Sequence, residues 1–402
     1  MQTSTFHWHP VARAYVGPQQ VARRTRPSNI SGLQIISPDP AELALSHLSE
    51  ILGTGNAFCI GTAPATMPPK NSFVTSTGGS TGSPKLIQRS HASWIASFET
   101  NAALFGYTAS DQIAVLGPIS HSLSLYGILE ALHLGMDAHV LAELRPSKQS
   151  KALNSAKISI LYATPTQLRL LCKGNNIPQL RLILCGGGAL DAATRRQIEA
   201  ACPNADLRVF YGSAETSFVS IADASTPNGS VGRAYPQVEV QVRDANSDGT
   251  GTIWVKGPYL FDGYASDQSP HTQSDAEWLT VGEHGWIDEK GNLYIVGRAG
   301  RMVTIADQNV FLDDLEAMLA AQPDMPQVAV VALPNRTRGS SLIAVLEGQD
   351  NQPVAEHVRQ ICRDNYGALA TPRTVIFADP FPRLPSGKPD LVALTALAGG
   401  TT

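Results

Sequence analysis

The sequence predicts an α/β fold: a large N-terminal domain of mixed α/β sheets with a small β region, followed by a small α+β C-terminal unit. Three observations carry this. From residue 73 to about 220, short β-rich runs (IAVLGPI, AHVLAEL, ISILYA, LRLILCG, LRVFYG) alternate with helical patterns such as residues 189–201, the mark of a parallel or mixed sheet. Between residues 229 and 297, VEVQVRD, GTIWVKG and GNLYIVG are separated by Gly- and Asp-rich turns, which predicts a small antiparallel region. The pattern breaks again after GRAGR. A short helix at 313–321, the strands QVAVVAL and LIAVLEG, a helix near 354–366 and the strand TVIFAD complete the C-terminal unit.

Upstream of these elements, the first thirty or so residues mix Pro, Gln, Arg and Ser without periodicity and predict no element. SPDPAELALSHLSEIL then reads as a helix. Asp39 is expected to cap it, Pro40 suits its first position, and Leu43, His47, Leu48, Ile51 and Leu52 form one mostly apolar face. With 402 residues, 43% hydrophobic and 16% charged, the chain can bury a large core divided among two or three domains. No internal repeat or low-complexity tract is evident.

Charge excludes some function classes. Thirty Lys and Arg against 34 Asp and Glu leave a formal net charge of -4, so no global basic field favours nucleic acid or an anionic membrane. Any phosphate must be held locally. The five cysteines, Cys59, Cys172, Cys185, Cys202 and Cys362, are scattered without a CxxC pair, which suggests neither a zinc site nor a disulfide framework. The N-terminus has no basic-then-apolar leader pattern, and no long uninterrupted apolar run occurs. A cytoplasmic protein that does not span a membrane is expected.

The most informative segment is FVTSTGGSTGSPKLIQRSH, residues 73–91. Its glycines let backbone N–H groups approach an anion, its Ser and Thr hydroxyls add donors, and Lys85 supplies a point charge. Such a loop can cradle a polyphosphate, although the G-x-x-x-x-G-K-[ST] spacing of a Walker loop is absent. On composition alone, a flexible surface linker is the alternative.

TGGSTGSPK resembles the phosphate-binding signature of the acyl-adenylate-forming superfamily of acyl-CoA synthetases, peptide-synthetase adenylation domains and luciferases, and KLIQRSH is most similar to its aryl-acid branch. The resemblance continues in order across residues 73–390. YGSAET (211–216) is similar to the adenine and metal segment, VGEHGWID (281–288) to the ribose segment, VGRAGR (296–301) to the interdomain hinge, and LPSGKPD (384–390) to the segment bearing the catalytic lysine.

This resemblance implies ATP and Mg²⁺ as reactants at one site and a division into a core at 1–298 and a mobile C-terminal lid at 299–402. Thr77, Gly78, Gly79, Ser80, Thr81, Gly82 and Lys85 would hold the phosphates. Lys388 would bridge the acid's carboxylate and the α-phosphate, Thr216 would bond that phosphate, and Glu215 would ligate Mg²⁺, a hard cation that prefers oxygen donors. Tyr211, Gly212 and the turn of Gly186, Gly187, Gly188 and Ala189 would enclose adenine. Glu283 stands where the family has Asp for the ribose, and both carboxylates accept from hydroxyls. Arg298 would contact the ribose or a phosphate.

For the acid pocket the resemblance implies Gly186, Gly212 and Ser217 together with His121, in the place of a gating aromatic or histidine, and Ser122, where aryl-acid enzymes often carry Asn. A packed strand histidine is the plain alternative for His121. GPISHSLSLYG carries no carboxylate between Gly117 and Gly127, so an α-amino acid would bring an unpaired buried cation. A simple aryl or acyl acid is the expected substrate.

Departures from the family pattern carry further expectations. The 72 residues before the phosphate loop are fewer than in the family, which predicts an exposed apolar face and a homodimer to cover it. Gly300 at the hinge would keep rotation easy. Asp307 puts a charge where a narrow pantetheine path is expected. The acceptor would be coenzyme A or a carrier-protein phosphopantetheine; the rivals are transfer to an amine or hydroxyl, or a nucleotide-binding regulatory protein without turnover.

Overall fold

The computed structural model describes residues 5–24, 31–76, 85–266, 269–305, 308–335, 339–384 and 387–400. Among these, nine strands form the largest sheet. Its centre is six parallel strands in the spatial order Asp206–Ser213, Leu182–Cys185, Ile160–Ala163, Gln112–Val115, Asp137–Val140 and Ala14–Val16. Antiparallel strands Ser217–Ala222 and Arg233–Ala234 extend one edge and Gln19–Gln20 the other. The apolar runs read as strands because both sheet faces are covered: Leu182 and Leu184 enter one core cluster, Ile183 and Cys185 the other.

The larger cluster lies between this sheet and a five-stranded one, built from Gln34–Ile36, Phe58–Ile60, Ser72–Ser76, Leu86–Ser90 and Gly263–Tyr264. Helices Ala41–Ile51, His91–Phe105 and Ser122–Leu134 fill the gap between them. The second helix is capped by Ser90 and ends on Gly106 in the left-handed region, as its sequence allows. Glu130, in the third helix, is fully buried. It accepts from Asn101 at 2.8 Å and from Tyr162 at 2.6 Å, which pins that helix to the sheet beneath it. A six-stranded antiparallel sheet holds the VEVQVRD, GTIWVKG and GNLYIVG segments. Beyond Met302 come the hairpin Met302–Ile305 and Gln308–Phe311, a three-stranded sheet, and helices Leu312–Ala320, Gln352–Tyr366 and Leu391–Gly400, with two hydrophobic clusters of their own.

Two expectations are corrected. The helix over residues 41–51 is capped by Pro40 and receives no side-chain hydrogen bond from Asp39; its buried stripe is Ala41, Ala44, Leu45, Leu48 and Ile51, with Leu43 46% exposed. Ala41 and Ala44, small enough to let the helix approach closely, take the buried positions at helical spacing in place of Leu43. The N-terminal residues, without periodicity, form a strand paired in parallel with Asp137–Val140, and Phe6 inserts among Phe58, Phe73, Trp94 and Phe98. A strand of three residues is too short to display a period. Among the described residues, no helix is long and apolar enough to cross a membrane.

Candidate active site

Parallel strands deliver their carboxyl ends to one edge, where loops rather than sheet hydrogen bonds decide what the backbone can hold. Strand Leu182–Cys185 ends in Gly186, Gly187 and Gly188, with Gly187 at φ +87°. Strand Asp206–Ser213 runs through Phe210 and Tyr211 into a tight turn. There Thr216 Oγ1 accepts from the Ser213 N–H at 2.9 Å, and Ser213 Oγ accepts from the Glu215 and Thr216 N–H groups at 3.2 Å each. A Cβ on Gly212 would lie 1.7 Å from the Ser217 carbonyl oxygen. Glycine is therefore the only residue this turn admits.

Lys388 reaches this edge from the C-terminal unit. A Cβ on Gly187 would stand 3.7 Å from Lys388 Cε and 3.9 Å from its Nζ. The loop that carries it is held by the Lys388 carbonyl accepting from the Leu384 N–H at 2.8 Å, and by Thr166 Oγ1 donating to the Gly387 carbonyl at 3.5 Å. Burial pulls the ammonium below the ordinary lysine range, the Arg298 charge adds to that, and Glu283 opposes it. His121 sits at the head of helix Ser122–Leu134, bridged to Ser76 at the start of the phosphate loop. Burial and then the Lys388 charge depress its pKa, so the neutral imidazole is favoured. Ser122 Oγ is buried with no hydrogen-bond partner among the described residues.

The acidic side of the site is coupled to aromatic hydroxyls. Tyr211 donates a short hydrogen bond to Glu283 Oε2. Burial raises the Glu283 pKa, while Tyr211 and Arg298 counter it. Glu283 and Arg298 are cross-strand partners in the six-stranded sheet, so the Tyr211 hydrogen bond links that sheet to the nine-stranded one. Glu215 accepts from Tyr264 OH at 2.9 Å, and that hydroxyl also meets Thr272 at 2.9 Å. Lys85 Nζ stands 5.6 Å from the Tyr264 ring centroid. Among the described residues no group of three His, Cys, Asp or Glu is gathered. A single carboxylate suits a cation that completes its shell from phosphate and water.

Arg298 binds Asp313 through Nε at 3.0 Å and Nη2 at 3.1 Å. Burial alone would lower its pKa, but the Asp313 hydrogen bonds and charge outweigh that and raise it. Asp313 also takes Arg301 at 2.9 Å, so both hinge arginines are tied to helix Leu312–Ala320.

Lys388 thus stands against the turn of Gly186, Gly187 and Gly188 that leads into Ala189, close enough to His121, Glu283 and Arg298 for their charges to couple, while Tyr211 reaches Glu283 from the next strand and Gly212, Glu215, Thr216 and Ser217 form the turn that follows it; Glu283 and Arg298 come from the six-stranded sheet, and Ser122 follows His121 at the head of its helix. Thr77, Gly78, Gly79, Ser80, Thr81, Gly82 and Asp307 lie outside the described residues. Sequence reasoning missed Arg89, Tyr264 and Asp313. Arg89 is fully buried, donates to Ser217 Oγ and the Tyr259 carbonyl, and lies 3.5 Å from the Glu215 carbonyl. An arginine in a β-rich run, four positions after the loop lysine, was the available signal.

A family profile described as AMP-binding enzyme matches residues 24–265, and one described as AMP-binding enzyme C-terminal domain matches residues 314–388. The chain is 32% identical over 333 residues to the uncharacterized acyl-CoA ligase YhfT of Bacillus subtilis, covering 80% of this chain and 68% of that one. It is 29% identical over 317 residues to the putative long chain fatty acid-CoA ligase VraA of Staphylococcus aureus, with 78% and 68% covered. The solved structure of o-succinylbenzoate CoA synthetase (MenE) from Bacillus subtilis with its acyl-adenylate intermediate superposes at TM-score 0.78 and 18% identity, covering 96% of this chain and 95% of that one.

Proposed function

The chain belongs to the AMP-binding enzyme family, and from that membership we propose that it activates a small aryl or acyl carboxylic acid with ATP and passes the acyl group to a thiol. In the first half-reaction a carboxylate oxygen forms a bond to the α-phosphorus while the bond from that phosphorus to the bridging oxygen breaks, and pyrophosphate leaves. In the second, a thiolate sulfur attacks the acyl carbon, AMP departs, and the thiol proton goes to solvent. The observation that carries this reading is the approach of Lys388 to the Gly187 turn, opposite His121 and beside Glu283.

Negative charge builds on the phosphoryl oxygens as the new bond forms, so fixed donors there lower the barrier. The Lys388 ammonium, desolvated against Gly187, supplies one such charge. Thr216, whose hydroxyl is oriented by the Ser213 N–H, supplies a neutral donor. Glu215 fits a magnesium ion, which when bound would neutralise phosphate charge as a Lewis acid. Glu283 accepts from the ribose hydroxyls, Tyr211 flanks adenine, and Lys85 with residues 77–82 holds the phosphates. Rotation of a lid at 299–402 on a core at 1–298 would exchange Lys388 for the acceptor thiol, with Gly300 as the pivot.

Coenzyme A is the acceptor supported by the names of the relatives, and a carrier-protein phosphopantetheine presents the same thiol. Association of two chains is supported by Ile35, 56% exposed on edge strand Gln34–Ile36, and by Met67, 67% exposed; a monomeric mass by light scattering at micromolar concentration contradicts it. The test of the function is pyrophosphate exchange over a panel of aryl, acyl and amino acids, followed by thioester formation with coenzyme A or a holo carrier protein. Exchange with aryl or short acyl acids and a thioester product are expected. Exchange with amino acids alone overturns the assignment.

A further inference from the structure

One helix of the core touches both the glycine turn and the lysine-bearing loop. Strand Ile160–Ala163 ends in Thr164, whose hydroxyl accepts from the Gln167 N–H at 3.3 Å while the Gln167 side-chain oxygen accepts from the Thr164 N–H at 2.9 Å. With Pro165 at its first position, this reciprocal cap starts helix Pro165–Cys172 rigidly from the centre of the nine-stranded sheet. The start of the helix packs on the glycine turn. A Cβ on Gly188 would lie 3.8 Å from Pro165 Cγ, and one on Gly187 would lie 3.7 Å from both Thr164 Cγ2 and Lys388 Cε. Thr166 then meets the C-terminal unit. Gly387, immediately before Lys388 and held at φ +82°, is so close that a Cβ on it would lie 3.2 Å from Thr166 Cγ2, and its carbonyl accepts from Thr166 Oγ1 at 3.5 Å. Three positions on, along the same stripe of helix surface, Arg169 Nη2 donates to Gln327 Oε1 at 3.4 Å. Both side chains are half-buried.

The Lys388 loop is shaped by bonds within its own unit. The Leu384 N–H donates to the Lys388 carbonyl and the Gly387 N–H to the Leu384 carbonyl, each at 2.8 Å, while Arg383 donates to the Gly387 carbonyl at 3.4 Å and pairs with Glu347 at 2.7 Å. These bonds fix the form of the loop but not its distance from Gly187, which depends on what the unit rests on. We propose that Thr166 and Arg169 are positioning residues for Lys388: they seat the C-terminal unit on the core so that the ammonium comes to rest against the Gly187 turn. The inference rests on the acid-activating reading of the site, in which Lys388 is the catalytic group and Thr166 and Arg169 act through it. Both of their hydrogen bonds are long, so each holds the unit lightly. Steric fit does more, because a side chain larger than Thr at position 166 must push Gly387, and Lys388 with it, away from the glycine turn. A misplacement of about 1 Å costs on the order of a hundred-fold in rate.

The test is pyrophosphate exchange by the wild-type protein, Thr166→Phe, Thr166→Ser and Arg169→Ala, with the aryl or acyl acid that the wild type uses fastest. ATP affinity is measured by calorimetry, and thioester formation is followed from a pre-formed acyl adenylate. Thr166→Phe should lower kcat for exchange by at least about ten-fold, while the KM and Kd for ATP and the rate of thioester formation stay within about two-fold of wild type. Thr166→Ser keeps the hydroxyl and fits the same space, so it should recover most of that kcat. Arg169→Ala serves if the phenylalanine variant does not fold, and should show the same split with a loss in kcat of about three-fold. A folded Thr166→Phe that exchanges at the wild-type rate overturns the inference while leaving acid activation standing. So does a loss of exchange matched by an equal loss of ATP affinity or of thioester formation, which marks a general structural defect. Absence of exchange by the wild-type protein with every acid overturns acid activation and the inference with it.

Discussion

Replacing Arg89 with methionine tests positioning, because among the described residues this guanidinium meets the candidate site only through Ser217 Oγ and the Glu215 backbone carbonyl. It is completely buried on strand Leu86–Ser90, which leaves the phosphate loop, and it grips Ser217 Oγ, the Tyr259 carbonyl and, more weakly, the Glu215 carbonyl. Burial lowers its pKa, and the Asp262 and Glu215 carboxylates oppose that shift. Methionine fills the volume but leaves two acceptors without a donor, at about 1–3 kcal/mol each. The expected loss is therefore about 2–6 kcal/mol, read in urea as a lower midpoint at unchanged slope. Because the lost grips release the turn that carries Glu215 and Thr216, kcat for pyrophosphate exchange should fall by about a hundred-fold, with a smaller change in the KM for ATP. Arg89→Lys restores the charge but cannot span both acceptors, so it should recover stability more than kcat. Wild-type midpoint and wild-type kcat in Arg89→Met would refute the positioning role.

The lowered pKa of Lys388 sets an alkaline limb. The ammonium loses its proton as pH rises through a value below the ordinary 10.5, so exchange should decline earlier than a surface lysine would allow. Between those two values the unfolded chain holds a proton that the folded chain has released, so docking of the Lys388 loop should strengthen as pH rises. Glu283 raises the Lys388 pKa; Glu283→Gln should therefore shift the limb to lower pH, and a limb that stays in place contradicts the coupling. Tyr211→Phe removes a hydrogen bond that holds the Glu283 pKa down. ATP binding, followed by calorimetry against pH, should then weaken on acidification at a higher pH than in the wild type. Identical pH profiles would count against a role for the Tyr211 hydroxyl.

The sequence made the strand alternation, the glycine turn and the lysine-bearing loop legible, because each writes its requirement into consecutive residues. Residues 182–185, LILC, read as a strand buried on both faces since every position is apolar, and Gly187 and Gly212 stand where φ or crowding admits little else. What stayed hidden depends on pairs distant in the chain. Arg89 meets Ser217 across 128 positions and Tyr259 across 170, and Tyr264 meets Glu215 across 49. No local pattern encodes such partners. Asp313 resembled an ordinary first-turn helix acid until Arg298 and Arg301 were found on it. Phe6 was illegible for a further reason: it lies outside any helix or strand, and its aromatic neighbours come from four other segments.

Lys388→Ala is the most direct probe of the proposed chemistry. With an acid that supports exchange in the wild type, the variant should bind ATP with little change, measured by calorimetry, and catalyse no detectable pyrophosphate exchange, since the desolvated ammonium beside Gly187 is gone. Thioester formation from a pre-formed acyl adenylate should persist, because that step does not call on this side chain. Exchange at the wild-type rate in Lys388→Ala would contradict the assignment of acid activation to this edge of the sheet.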